Sequence, residues 1–493
     1  MSRTDWLNER CDQGVKALRW LYPGMRVKRW LAGFALGVAL VVLGSVTLLD
    51  GRALDILERW FAWLGVPRPG PFPRGLVTVA GIAAVVGGAA IMGISAGAII
   101  RSIVAALMPG AENRIAELVQ RERQLGRGPR IVVVGGGTGL STLLRGVKEF
   151  TSNVTAIVTV ADDGGSSGRL RKEMGVLPPG DIRNCLVALA DSEPLMARLF
   201  QYRFPEGDPT GLGGHTFGNL FIATMSAITG DFEEAVKESS RVLAVRGRVL
   251  PSTLEDVVLA AECEGGAVVE GESTLSTCGA PIRRVFLRPR DPVALPEAVE
   301  AIAGAELIVL GPGSLFTSVL PNLLVPGITE AIRRSRALKV YVSNVMTQPG
   351  ETDGFAASDH LRALFEHVGR GIVDVALVNT GQVPPKIAER YRQEGAYPVT
   401  ADSDNLRGLG VSVVEGDLVS VADYARHDPE RLARAIVGLV VEARATARGS
   451  RHEVGRVLDL GSARAARRPG GAGGAAPAAG SRREAEDKTP HRN

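Results

Sequence analysis

Two adjacent carboxylates, Asp162 and Asp163, head the run VADDGGSSGRLR at 160–171. Close acids repel one another, so they recruit a cation or raise a carboxyl pKa. The pair could therefore hold Mg²⁺ or bind ligand hydroxyls. The Gly/Ser run behind it, with Ser166 and Arg169, could instead donate to an anion. A flexible turn after a strand is the plain alternative.

Other motifs offer related chemistry. GGGTGL at 135–140 is not the dinucleotide fingerprint, because Leu140 stands where the last glycine would be. It is not a P-loop either, since no Gly-Lys-Ser/Thr follows. What remains is Gly135, Gly136, Gly137, Thr138 and Gly139, whose main-chain N–H groups lead into a helix N-terminus that favours an anion. A tight β–α turn is the alternative. GPGSLFTS at 311–318 repeats the logic with Gly311, Gly313 and Ser314, against a Gly-Pro turn capped by Ser314. In PPGDIRN, Asp181 is by default a helix N-cap, or else joins the other two acids. Arg183 beside Asn184 could meet a phosphate as a bidentate donor. In GGHTFGNLF, His215 and Asn219 are four apart and fall on one helical face, which suits either a structural or a ligand role. No other histidine has metal-ligand spacing, so zinc is not indicated. The letters G-x-S-x-G occur twice, at 93–97 and 164–168, without the strand–turn–helix context of a nucleophilic serine.

These motifs need a scaffold. From Arg130 onward, apolar runs (RIVVV, NVTAIVTV, RRVFL, ELIVL, KVYVSN, VDVALVN) alternate with helical stretches, including 181–190, 193–203 and 216–229. That alternation predicts an α/β fold with a mainly parallel sheet. DVVLAAECEGGAVVEGEST reads as a hairpin turning at 264–266, hence a small antiparallel insertion. In such sheets ligands bind beyond the carboxyl ends of the strands. The expected strands lead into 135–139, into Asp162 and Asp163, into 311–314, into Asn344, and into Asn379 and Thr380. Small residues, acids and amides thus recur along one edge, which points to a phosphate-bearing ligand.

Upstream, 30–49 is 20 residues without a charge and 75–100 gives 26 more. Each is long enough to cross a bilayer. All five tryptophans lie in the first 63 residues, as expected of a membrane boundary. Between the spans, RALDILERWFAWLG at 52–65 has the spacing of an interfacial helix. Five basic residues at 16–29 lie close before the first span and four occupy the loop, which places both termini in the cytoplasm. The expected organisation is a cytoplasmic segment at 1–29, spans at 30–49 and 75–100 around an external loop at 50–74, and a linker helix at 101–129. A ligand domain at 130–448 and a disordered tail at 449–493 follow. A net charge of +4 gives no reason to expect nucleic acid. Four scattered cysteines without a CxxC pair read as free thiols in a reducing compartment.

The motifs GGGTGLSTLLRG, VADDGGSSGRLR, LPPGDIRNCLVALAD, GHTFGNLFI, RVLAVRGRVLP, GPGSLFTSVLPNLLVPGI and NVMTQPGETDG follow one another between 129 and 441. Together they resemble the YvcK-type gluconeogenesis factors of the CofD-like 2-phospho-L-lactate transferase superfamily. The resemblance does not cover the membrane hairpin or the tail. It implies a Rossmann-like, doubly wound fold that binds a UDP-sugar such as UDP-N-acetylglucosamine. It also implies a role in cell shape and wall-precursor supply during gluconeogenic growth. Carried onto this chain, Gly136, Gly137, Thr138, Gly313 and Ser314 would hold phosphates, while Asp162, Asp163 and Asn219 would line a ligand or cation site. The transferase branch uses Mg²⁺, which leaves a metal at Asp162 and Asp163 open. Two expectations result. The favoured one is a membrane-tethered UDP-sugar-binding regulator. The other is a Mg²⁺-dependent transferase moving a phospholactyl or phosphoenolpyruvyl group from a nucleotide donor. The lipid bilayer is an expected partner; self-association and contacts with wall-synthesis or signalling proteins are left open.

Overall fold

The computed structural model describes residues 28–49, 63, 74–107, 115–191, 194–207, 211–420 and 424–447. The tail and most of the 52–65 helix lie outside the described residues. Two compact units divide the chain, Met1–Arg123 and Gln124–Asn493.

The first unit contains α1 (Lys28–Leu49) and α2 (Arg74–Leu107). Both are long and apolar enough to cross a membrane, over Lys28–Leu48 and Gly75–Ser102. They pack antiparallel through glycines. A Cβ on Gly37 would lie 2.8 Å from the Gly88 carbonyl oxygen, and one on Gly44 would lie 2.7 Å from that of Gly81. Small residues at such a seam let two backbones approach closely, and lipid-facing helices rely on that contact for association. Leu36, Val42, Val79 and Val86 stay exposed on the outer faces. Of the expected linker helix at 101–129, the described residues show helix to Leu107 at the end of α2 and over α3 (Ile115–Gly126).

In the second unit, β1 (Ile131–Gly135), α4 (Gly137–Val147), β2 (Val154–Val158), α5 (Gly165–Met174), α6 (Gly180–Leu189), α7 (Pro194–Gln201), α8 (Phe217–Thr229) and α9 (Phe232–Val242) lead to β3 (Arg248–Pro251). Next come β4 (Val258–Cys263), β5 (Val268–Glu270), a 3₁₀ turn (Glu272–Thr277), β6 (Ile282–Arg288), α10 (Pro296–Ala303), β7 (Leu307–Leu310) and α11 (Pro326–Arg334). The chain continues through β8 (Leu338–Val342), α12 (Ala357–Val368), β9 (Val375–Asn379), α13 (Pro385–Gln393), β10 (Ser412–Gly416), β11 (Val419–Ser420), β12 (Arg426–His427) and α14 (Pro429–Ala447). The main sheet runs β10-β9-β8-β7-β1-β2-β3 with every neighbour parallel. Its central strands are buried on both faces, which is why they read as continuous apolar runs rather than alternations.

Two expectations change. RRVFL is not a main-sheet strand: as β6 it pairs antiparallel with β4, completing a three-stranded insertion with β5. The free-thiol reading fails for one pair, since Cys263 and Cys278 form a disulfide with Cα atoms 6.3 Å apart. The β4–β5 return and the 3₁₀ turn bring these residues together, and linear spacing does not reveal that. Cys185 is free and buried.

Candidate functional site

The strand order reverses at β1. From there the chain goes to β2 and β3 on one side, then returns to β7 and continues outward to β10. The loops after β1 and β7 therefore meet at the switch point, where doubly wound sheets bind ligands. Their contact requires glycine at two places. Gly137 has φ +65°, a left-handed conformation. A Cβ on Gly139 would lie 2.7 Å from the Pro312 carbonyl oxygen, so the second loop could not approach.

A cleft of about 350 Å³ opens between them. Gly136, Gly137, Thr138 and Gly139 form one wall, Pro312, Gly313 and Ser314 another, and the segment from Asn344 to Gln348 a third. Tyr391 from α13, and Arg426 and His427 from β12, close the outside. Arg426 is the one basic residue among the lining residues other than buried His427, and no carboxylate lines the cleft. Burial lowers the His427 pKa to about 4, so this imidazole is neutral, and its Nε2 is buried without a partner. Ser314 Oγ accepts from Thr317 N at 3.4 Å, so the turn-capping role is realised, and it also donates to Glu351. Gly135 and Gly311 do not line the cleft. Gly135 ends β1, accepting from Asn322 Nδ2, and Gly311 N donates to Val134 O.

The acids gather behind the first loop. Asp181 does not cap its own helix. It sits in the first turn of α6, and its Oδ2 accepts the Gly137 N–H at 2.7 Å. Asp162 Oδ1 accepts from Gly164 N, and Asp163 Oδ1 accepts from Ser273 N, both at 2.9 Å. Burial pushes Asp181 up to about 6. Glu272 is pushed to about 9, first by burial and then by the charges of Asp162, Asp181, Asp163 and Glu351. Burial likewise raises Asp162 and Glu351. Among the described residues, no three acids, histidines or cysteines converge as metal ligands.

A further group lies outside the cleft. Ser166 Oγ meets His215 Nδ1 and accepts from Asn219 Nδ2, each at 3.0 Å. His215 precedes α8 rather than sharing a helical face with Asn219, so the two converge through tertiary contact with Ser166. Arg169 donates to the Gly213 carbonyl, while Arg183 donates to Thr216 Oγ1 and Asn184 Oδ1. None of these side chains lines the cleft.

Sequence reasoning missed Glu272, Glu351, Gln348, Tyr391, Arg426 and His427. Glu351 and Gln348 lay in a quoted motif without an assigned role. Glu272 follows the hairpin with no pattern of its own. The β12 residues come from a two-residue strand that carries no periodic signal.

The profile described as 2-phospho-L-lactate transferase CofD matches residues 131–419. The gluconeogenesis factor of Bacillus subtilis is 52% identical over 319 residues, 64% of this chain and 100% of its own. A relative from Nostoc sp., also named as a gluconeogenesis factor, is 47% identical over 426 residues, 85% of this chain and 91% of its own. That alignment is longer than the ligand domain and tail together, so it reaches into the N-terminal segment. The crystal structure of a UPF0052 family member from Bacillus halodurans is similar at 53% identity and TM-score 0.61. The match covers 63% of this chain and 99% of that one.

Proposed function

The chain belongs to the CofD family, and on that premise we propose that it is a regulatory protein binding UDP-N-acetylglucosamine or a similar UDP-sugar in the switch-point cleft. One observation carries this reading: two glycine-bearing loops frame a cleft lined by Arg426 and no carboxylate. Helix α4 begins there, and the first-turn N–H groups of Thr138 and Gly139 have no place in the helix's own ladder. Such a setting suits a diphosphate. The Tyr391 ring offers a stacking face for a base, and Asn344 and Gln348 offer amides for its edges.

Binding without turnover is favoured over phospholactyl transfer because Asp162 and Asp163 each spend an oxygen on main-chain N–H groups. The apolar pair α1 and α2 supports a membrane tether, and the basic residues close before the first span support a cytoplasmic ligand domain. Such a sensor would report UDP-sugar supply beside wall synthesis and so support cell shape during gluconeogenic growth.

Titration calorimetry of the full chain in maltoside micelles with UDP-N-acetylglucosamine tests the reading. Saturable binding is expected, and no heat at millimolar ligand refutes it. Gly137→Asp places a carboxylate against the diphosphate and should abolish binding.

A further inference from the structure

We propose that the chain carries a second anion site, separate from the switch-point cleft, where Arg169, Arg183 and Arg203 hold a small oxyanion (a phosphate or carboxylate) at the 213–216 turn. The sequence GGHTFG builds the turn. Gly214 has φ +74°, and a Cβ there would lie 3.0 Å from an Arg169 Nη. A Cβ on Gly218 would lie 2.7 Å from Arg183 Cδ. The two glycines flanking His215 thus leave room for two guanidinium side chains.

Each arginine is held by neutral acceptors. Arg169 Nη2 donates to Gly213 O at 2.8 Å, and Arg203 Nη1 donates to Gly214 O at 2.7 Å. Arg183 donates to Thr216 Oγ1, and to Asn184 Oδ1 at 2.8 Å. Among the described residues none of the three forms an ion pair, whereas nearby Arg171 and Arg246 pair with Asp256 and Asp191. A guanidinium carries five N–H donors, so several remain on half-buried Arg169 and Arg183, while Arg203 is exposed to solvent. Arg183 Nε is buried with no partner at all. Three cations lie around this turn, with the Glu206 side chain also beside Gly214, and the charge of Arg203 adds to burial in lowering the Arg183 pKa while Asp181 and Asp162 oppose it. A bound oxyanion would satisfy the leftover donors and offset the Arg203–Arg183 repulsion.

His215 Nδ1 lies 3.0 Å from Ser166 Oγ, which also accepts from Asn219 Nδ2, and either imidazole tautomer can make this contact. Burial and the charges of Arg169 and Arg203 lower its pKa, which keeps it neutral. None of the three arginines lines the cleft, and Asp181 and Asp162 lie electrostatically close to Arg183.

Equilibrium dialysis of radiolabelled inorganic phosphate against the full chain in maltoside micelles, at constant ionic strength, tests this. Wild type and Gly137→Asp, which blocks the cleft, should each retain at least one phosphate per chain. Arg203→Ala and Arg169→Ala should weaken that phosphate about tenfold, the loss of one charge-assisted hydrogen bond. Arg203→Gln is a second variant, and near-UV circular dichroism checks that each is folded. No phosphate on wild type, unchanged affinity in folded Arg203 variants, or loss of all phosphate in Gly137→Asp would each overturn the proposal. None of these outcomes depends on whether the cleft takes a UDP-sugar, so the two readings fail independently.

Discussion

Asp181 Oδ2 accepts the main-chain N–H of Gly137 at 2.7 Å, tying the first turn of α6 to the first turn of α4. A carboxylate thus already occupies part of the anion-seeking end of α4. Its neighbours are Asp162 behind it and, in front, a cleft without acids. The protonation of Asp181 therefore bears on how well that helix end receives a phosphate.

Burial raises Asp181 from 3.8 to about 6. Between those values the folded chain binds more protons than the unfolded one. The contribution of this group to stability falls as pH rises through that window and is level above it. The charged form also repels a diphosphate, so wild-type affinity for UDP-N-acetylglucosamine should fall as pH rises from about 5.5 to about 7.5. Asp181→Asn keeps an oxygen for the Gly137 N–H and removes the charge. Calorimetry should show the variant binding several-fold more tightly at pH 7.5, with little pH dependence. Weaker binding by the variant would mean that the carboxylate itself holds the ligand.

Gly139→Ala tests the contact between the two loops. The new methyl would meet the Pro312 carbonyl at 2.7 Å and Gly313 Cα at 3.1 Å, both main-chain atoms that cannot swing aside. The 311–314 loop must shift, at a cost of about 1–3 kcal/mol. Urea denaturation should show that loss, and calorimetry a matching loss of UDP-sugar affinity. Unchanged stability would mean that the loops are not in the contact described.

Much of this edge was legible because β–α turns carry their chemistry in a few adjacent residues. The strand-end loops at 135–139 and 311–314 announced themselves by glycine, and the buried strands by unbroken apolar runs. What escaped depends on long-range packing. Asp181 looked like a cap for its own helix, since nothing local shows that its carboxylate reaches across 44 residues to Gly137. His215 and Asn219 were assigned to one helical face, whereas Ser166 on α5 joins them. β3 and β10, the edge strands, are short and end on a proline and a glycine, which weakens any periodic signal.

Glu272 offers a test of the acid group. Burial and four neighbouring acids hold its pKa at about 9, so it is protonated at neutral pH. The folded chain keeps that extra proton from 4.5 up to about 9, so stability from this group declines as pH climbs through the range. Glu272→Gln replaces the neutral acid with a neutral amide of the same size. Urea midpoints of the two proteins should coincide below pH 4.5, and the variant should be increasingly more stable towards pH 8. Parallel curves would place Glu272 outside the group of acids.

The membrane unit makes a separate topological expectation. Gly37 faces Gly88 while Gly44 faces Gly81, so α1 and α2 run in opposite directions. If both cross the bilayer, the segments before α1 and after α2 lie on one side, and only the choice of side is open. Five basic residues at 16–29, close to the first span, against four in the loop favour the cytoplasm for both ends. A fluorescent protein fused after Asn493 should therefore fluoresce, and alkaline phosphatase at the same place should be inactive. Alkaline phosphatase inserted in the 50–74 loop should be active. The opposite pattern would invert the topology, and recovery of the full chain in the soluble fraction would remove the tether altogether.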